Sequence, residues 1–116
     1  MNKTEIGAYG ERLAEKALKK AGMTTLARNY RAGKYEIDLI MRDRKTKEIV
    51  FVEVKARSYD ALHLPRTAVT REKQSFIKSA ARQYLAENDW DDVPHRFDIV
   101  EVWPEDGRTA WLDNAF

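Results

Sequence analysis

Three charged residues stand in runs that otherwise read as apolar strands: Asp38 in YEIDLIMR (35–42), and Glu53 and Lys55 in EIVFVEVKAR (48–57). Strand side chains alternate between faces, so Glu53 and Lys55, two apart, project from the same one. Their neighbours are Ile, Val and Phe, so both charges are expected to be partly buried. That is costly unless a charge is paired or holds a metal. Asp38 lies on the preceding strand of the same hairpin, where it can come level with Glu53. Two carboxylates held that close repel, and a divalent cation is the simplest means of keeping both ionised. Phosphodiester hydrolysis uses such a set: hard oxygen ligands hold Mg²⁺ or Mn²⁺, which polarises the phosphate and acidifies a bound water. An ammonium two residues from a ligand can orient the attacking water and offset developing negative charge. Lys55 suits that role as a compact point charge.

Each of these residues also has an ordinary reading. An E-x-K pair on a strand is commonly a surface salt bridge, and Asp38 alone is an ordinary acid near a turn. The conjunction favours chemistry: an acid in one hairpin arm, E-x-K in an apolar second arm, and an acid on a preceding helix. That helix acid, Glu11, either supports the metal shell or is a solvent-edge glutamate, and both stay open. Glu36 points the same way as Asp38, as an accessory ligand or as a partner for Arg31 or Lys34. Gln74 is a candidate for orienting water or phosphate, or a plain surface glutamine. Arg57, Arg71 and Lys73 are the candidate contacts to nucleic-acid phosphates. His63 and His95 have no partner at metal-ligand spacing and read as loop residues. The sequence contains no Gly-rich phosphate loop, nucleophile elbow or dinucleotide fingerprint.

The elements that must position these groups follow from periodicity. A first helix is expected from about Thr4 to Ala21, closed by Gly22. Its predicted buried stripe is Ile6, Leu13, Ala17 and Ala21, with Gly7, Gly10 and Ala14 keeping the inner surface small enough for close approach to a sheet. Three strand-like runs follow. Thr24 to Arg31 alternates only in part. Tyr35 to Arg42 places Tyr35, Ile37, Leu39 and Met41 on one face and Glu36, Asp38 and Ile40 on the other. Glu48 to Arg57 places Val50, Val52 and Val54 opposite Ile49, Phe51, Glu53 and Lys55, and the polar turn DRKTK (43–47) joins the two as a hairpin. Both faces are apolar at the start of that third run, which suits a central strand covered on both sides. Ser58 to Val69 is an irregular crossover containing Pro65. Thr70 is the expected N-cap of a second helix reaching about Asn88, with Phe76, Ile77, Ala80, Ala81, Tyr84 and Leu85 inward. Strands from Arg96 to Trp103 and near Ala110 to Asp113 complete an α-β-β-β-α-β-β order, an α/β fold whose mixed sheet is flanked by helices.

The bulk composition agrees with one such domain over residues 1–116. It is 43% hydrophobic and 34% charged, and without cysteine it has no disulfide or thiolate metal site. No apolar run approaches the roughly 20 residues of a membrane span, and the N-terminal stretch has no apolar signal core, so a cytoplasmic location is expected. The net charge of +2 is too small to argue for nucleic acid. Two local sets are more suggestive: Arg28, Arg31 and Lys34, and then Arg66, Arg71, Lys73, Lys78 and Arg82. A basic face of this kind can track phosphates, while the plainer reading is a solvated surface balanced by acids.

The segments GAYGERLAEKAL, ARNYRAGKYEIDLI, FVEVKAR and RFDIVEV, with a terminal NAF, together resemble the YraN-type family of uncharacterised bacterial proteins. The resemblance covers nearly the whole chain. That family is in turn similar to the PD-(D/E)XK nuclease superfamily, with its restriction-endonuclease-like α-β-β-β-α-β core, and especially to Holliday-junction resolvases. The resemblance implies Asp38 as the first signature acid, Glu53 and Lys55 as the E-x-K, and Glu11 as the helix acid. Gln74 falls near a glutamine of resolvases, a looser match. Ile37 stands where the nominal motif has proline. Tyr35 stands where the family usually has glycine, which either narrows access to Glu36 and Asp38 or provides a stacking surface for a base. The implied activity is a Mg²⁺- or Mn²⁺-dependent nuclease acting on DNA, plausibly branched, with a homodimer expected for a symmetric junction. The alternative is a module of the same fold that binds nucleic acid without cutting it.

Overall fold

The structure, a computed structural model, describes residues 2–57 and 69–116. The expected crossover up to residue 68, with His63, Pro65 and Arg66, lies outside them. Helix α1 spans Lys3–Lys20 and strands β1, β2 and β3 span Met23–Ala32, Tyr35–Asp43 and Ile49–Ala56. Helix α2 spans Arg71–Glu87, and β4 and β5 span His95–Trp103 and Arg108–Leu112. His95 therefore opens a strand and does not lie in a loop. Among the described residues no helix is long and apolar enough to cross a membrane.

Local chemistry sets the boundaries. Asn2 caps α1 by accepting from the Glu5 amide at 2.8 Å while the Glu5 side chain reaches back to the Asn2 amide, a capping box. At the other end the chain leaves through Gly22 at φ +100°, a conformation that glycine adopts without the Cβ penalty. Thr70 caps α2 by accepting from the Lys73 amide at 3.1 Å, and Asn88 closes the helix. In the β2–β3 turn Asp43 Oδ1 accepts from the Lys45 and Thr46 amides, an Asx-type turn.

The five strands form one sheet in the order β1-β2-β3-β4-β5, antiparallel except for the parallel pair β3–β4. The helix α2 lies between those two strands in sequence, as a parallel pair requires. Each helix covers one face. Ala14 and Leu18 of α1 pack with Leu39, Met41, Val50, Val52, Val100 and Val102. On the other face Ile77, Ala80, Ala81, Tyr84 and Leu85 of α2 pack with Ile37, Ile40, Ile49, Phe51 and Phe97. Covered on both sides, β3 is buried from Ile49 through Glu53.

Two expectations about facing need correction. The buried face of α1 is Gly10, Ala14, Glu15 and Leu18, while Ile6 is 36% exposed. The helix is rotated toward its small residues because they allow the closest approach. A Cβ on Gly10 would meet Val102 Cγ2 at 3.0 Å, whereas one on Gly7 would meet nothing within 4 Å. The second correction concerns β2. Leu39 and Met41 join the α1 side as a pair, but Tyr35 and Ile37 pack on the α2 side with Ile40. The strand changes face at Asp38.

Candidate active site

That change of face builds the site. Pairing between β2 and β3 runs from Arg42↔Ile49 to Leu39↔Val52 and stops there, one step short of setting Asp38 opposite Glu53. Where the ladder ends, the Val54 amide donates to Asp38 Oδ2 at 2.8 Å. The carboxylate satisfies a backbone donor that the fork in the sheet leaves without its strand partner. On the other side of β2, Asn29 takes a left-handed conformation at φ 49°, between the register pairs Arg28↔Leu39 and Tyr30↔Ile37. Asparagine tolerates that region better than most side chains.

Around this fork the acids gather. Glu53 is 6% exposed and lies between two ammonium groups, Lys55 Nζ at 3.7 Å from Oε1 and Lys73 Nζ at 3.9 Å from Oε2. Burial, and then the charge of Glu53, push the Asp38 carboxyl up to about 7 against the opposing pull of the Val54 amide and Lys73. Burial also raises Glu11, opposed by its hydrogen bond from Asn29 and reinforced by the charges of Asp38 and Glu36. The amide of Asn29 donates to Glu11 Oε1 at 2.8 Å and to Glu36 Oε1 at 3.1 Å, tying the α1 acid to the β2 acid. Arg31 Nη2 stands 3.6 Å from Glu36 Oε2, the pairing that its position suggested. Glu11, Glu36, Asp38 and Glu53 thus form one electrostatic neighbourhood fed by α1, β2 and β3.

Among the described residues no three acids or imidazoles stand together as a ready-made ligand shell. The donor chemistry nevertheless fits a hard divalent cation. All the candidate donors are carboxylates, and burial, Glu53 and, more weakly, Glu36 penalise the charged form of Asp38. A cation would remove that penalty.

The remaining candidates spread outward. Arg57 Nε donates to Glu101 Oε2 at 2.9 Å, and Glu101, only 2% exposed, is level with Lys55 across the parallel pair. The Arg57 guanidinium is therefore anchored to a buried acid at the end of β3. Arg71 is exposed at the start of α2. The Gln74 amide turns back to donate to the Val69 carbonyl at 3.0 Å. Tyr35 stacks on Phe76 of α2, centroids 4.4 Å apart and planes 15° apart, with Lys34 Nζ 5.6 Å from its centroid. Of the cations near the acids, Arg28 is taken by Glu15, to which it donates at 2.9 and 2.7 Å.

Sequence reasoning missed Asn29 as the bridge between Glu11 and Glu36. It also assigned Lys73 to phosphate alone, whereas the side chain reaches Glu53. Three further buried acids, Glu15, Asp98 and Glu101, went unremarked. A signal existed for two of them: Asp98 and Glu101 interrupt the apolar run FDIVEV as Glu53 interrupts its own.

A family model described as "Uncharacterised protein family UPF0102" matches residues 10–102. A UPF0102 protein of Desulfosudis oleivorans is 41% identical over 112 residues, covering 97% of this chain and 89% of the relative. One from Saccharophagus degradans is 42% identical over 113 residues, covering 97% and 92%. A third, from Clostridioides difficile, is 37% identical over 116 residues and covers both chains completely.

Proposed function

The chain belongs to the uncharacterised protein family UPF0102, and we propose that it is a divalent-metal-dependent nuclease that hydrolyses phosphodiester bonds in DNA. The observation that carries this reading is the fork at Asp38, which breaks a strand ladder to put a half-buried carboxylate beside buried Glu53 with two lysines at hand. A merely structural acid has no use for a second acid beside it in an apolar setting. In this reading Asp38 and Glu53 hold Mg²⁺ or Mn²⁺, and Glu11 supports the shell from α1. The cation supplies Lewis-acid polarisation of the phosphate. Lys55 lies along β3 from Glu53, where it orients the nucleophile and offsets charge on the reacting phosphate. Lys73 adds a second ammonium from α2. Asn29 ties Glu11 to Glu36 within this acid cluster. The α-β-β-β-α-β-β order and the resemblance of EIDLI and FVEVK to the nuclease signature agree with this assignment. A cytoplasmic site of action belongs to the same proposal.

One observation favours a second reading, a binding module that does not cut. Glu53 already has its charge met by two ammonium groups, and no ligand shell stands assembled among the described residues. The deciding experiment is a cleavage assay with Mg²⁺ and Mn²⁺ on linear, nicked, flapped and four-way-junction DNA. Wild type runs beside Asp38→Ala and Lys55→Ala. Metal-dependent cutting lost in both variants supports the nuclease, and the preferred substrate reports the class. Binding without cutting on every substrate sinks the nuclease and leaves the binding module.

A further inference from the structure

The cations nearest the buried acids are matched to them: Arg28 to Glu15, Arg31 to Glu36, Lys55 and Lys73 to Glu53, Arg57 to Glu101, and Arg96 to Asp43, Glu48 and Asp98. One flank of α2 is different. Arg71, Ser75, Lys78 and Arg82, spaced four, three and four apart, share a helix face, and with Gln74 they line a single open groove. Among the described residues no carboxylate is recorded against Arg71, Lys78 or Arg82. Lys78 is held in place from below, its Nζ 5.8 Å from the centroid of Phe97 and 5.9 Å from that of Phe116. The two rings stack on each other with centroids 5.1 Å apart. The acids of α2, Glu72 and Glu87, are not among the residues lining the groove.

We propose that this flank of α2 is a track for the sugar-phosphate backbone of the nucleic acid, leading away from the acid site. Its position follows from the helix. Lys73, in the first turn, reaches Glu53; the stripe begins at Arg71 in the same turn, on a different face of the helix, and ends at Arg82. Eleven residues of helix at about 1.5 Å each span roughly 16 Å, the rise of about five nucleotides in one strand. The track reads charge only, with three cations, a serine hydroxyl and an amide, and it carries no base-reading geometry. What it delivers rests on the nuclease reading above, but binding along it does not require cutting.

The test uses a labelled single-stranded DNA of about 20 nucleotides, followed by fluorescence anisotropy in EDTA over about 0.05 to 0.3 M salt. Lys78→Gln/Arg82→Gln removes two of the cations, and Lys16→Gln/Lys20→Gln removes the same charge from the exposed face of α1. Each phosphate contact on a single strand contributes about 0.7 to the salt slope. Losing two therefore flattens the slope by about 1.4 and weakens binding roughly 25-fold at 0.1 M salt. The α1 variant is expected to keep the wild-type slope, and Lys78→Arg/Arg82→Lys to restore it. An unchanged slope in the α2 variant, an equal loss in the α1 variant, or competition by poly-glutamate as strong as by unlabelled DNA overturns the track. Cleavage separates the two ideas. A wild type that binds with this slope and cuts nothing sinks the nuclease but not the track. A wild type and an α2 variant that bind and cut alike sink the track but not the nuclease.

Discussion

The replacement Asp38→Asn should stabilise the metal-free protein while abolishing its response to metal. Burial and the adjacent Glu53 raise the Asp38 carboxyl from 3.8 to about 7 in the folded state. A group whose folded value lies above its unfolded one contributes stability that is complete below the unfolded value and is lost as pH rises through the folded value. The wild type in EDTA should therefore lose stability as pH rises from about 4 to about 7 and level off above. Between pH 5 and pH 8 the drop spans about two units, or about 3 kcal/mol at 1.4 kcal/mol per unit. That corresponds to roughly 10 °C in Tm for a domain of this size. Asparagine keeps an oxygen to accept from the Val54 amide but carries no charge, so the variant should be flat over this window and the more stable of the two at pH 8. Adding Mg²⁺ or Mn²⁺ at pH 8 should raise the wild-type Tm and leave the Asn variant where it is. Thermal unfolding followed by circular dichroism across this pH range, with and without metal, reads all of these. A wild type whose Tm does not fall between pH 5 and pH 8 in EDTA would refute the claim that the fork at Asp38 stores a charge conflict.

Other substitutions probe what positions the site. Glu15, 8% exposed, is held down to about 2 chiefly by its hydrogen bonds from Arg28, with burial opposing. Its contribution is present above about 4.5 and lost as pH falls through about 2. Because Arg28 is largely exposed, Glu15→Gln should cost only about 1–2 kcal/mol at pH 7 and almost nothing near pH 2, as urea titrations at both values would read. Gly10→Val places branched carbon where even a Cβ stands 3.0 Å from Val102, and should lower stability by about 2–3 kcal/mol in the same assay. Asp98, fully buried, accepts from Arg96, the Trp111 indole and the Asn114 amide. Asp98→Ala should cost about 3–5 kcal/mol and alter the near-ultraviolet circular dichroism as the Trp111 ring loses its anchor.

The order of elements was legible in the sequence because short-range chemistry writes it. Thr70 and Asn88 bracket α2, Gly22 ends α1, and the valines at 50, 52 and 54 set the faces of β3, so Glu53 and Lys55 had to share a side. The pairing of an acid in one hairpin arm with E-x-K in the other was likewise readable, since it needs only a period of two and a turn. What periodicity cannot register is an interruption of itself. The face of β2 switches at Asp38 because the β2–β3 ladder ends there and Asn29 turns left-handed beside it, and both depend on neighbours 16 and 9 residues away. The phase of α1 was decided by which side chains let it approach the sheet, and small Gly10 and Ala14 outweighed larger Ile6 and Leu13 once Val102 was opposite. Lys73 was placed on α2 from sequence, yet only the docking of that helix brought its ammonium to Glu53. Local propensity and alternation are properties of adjacent residues. The partners of a buried charge are chosen by the packing of distant ones, and that choice belongs to the tertiary structure.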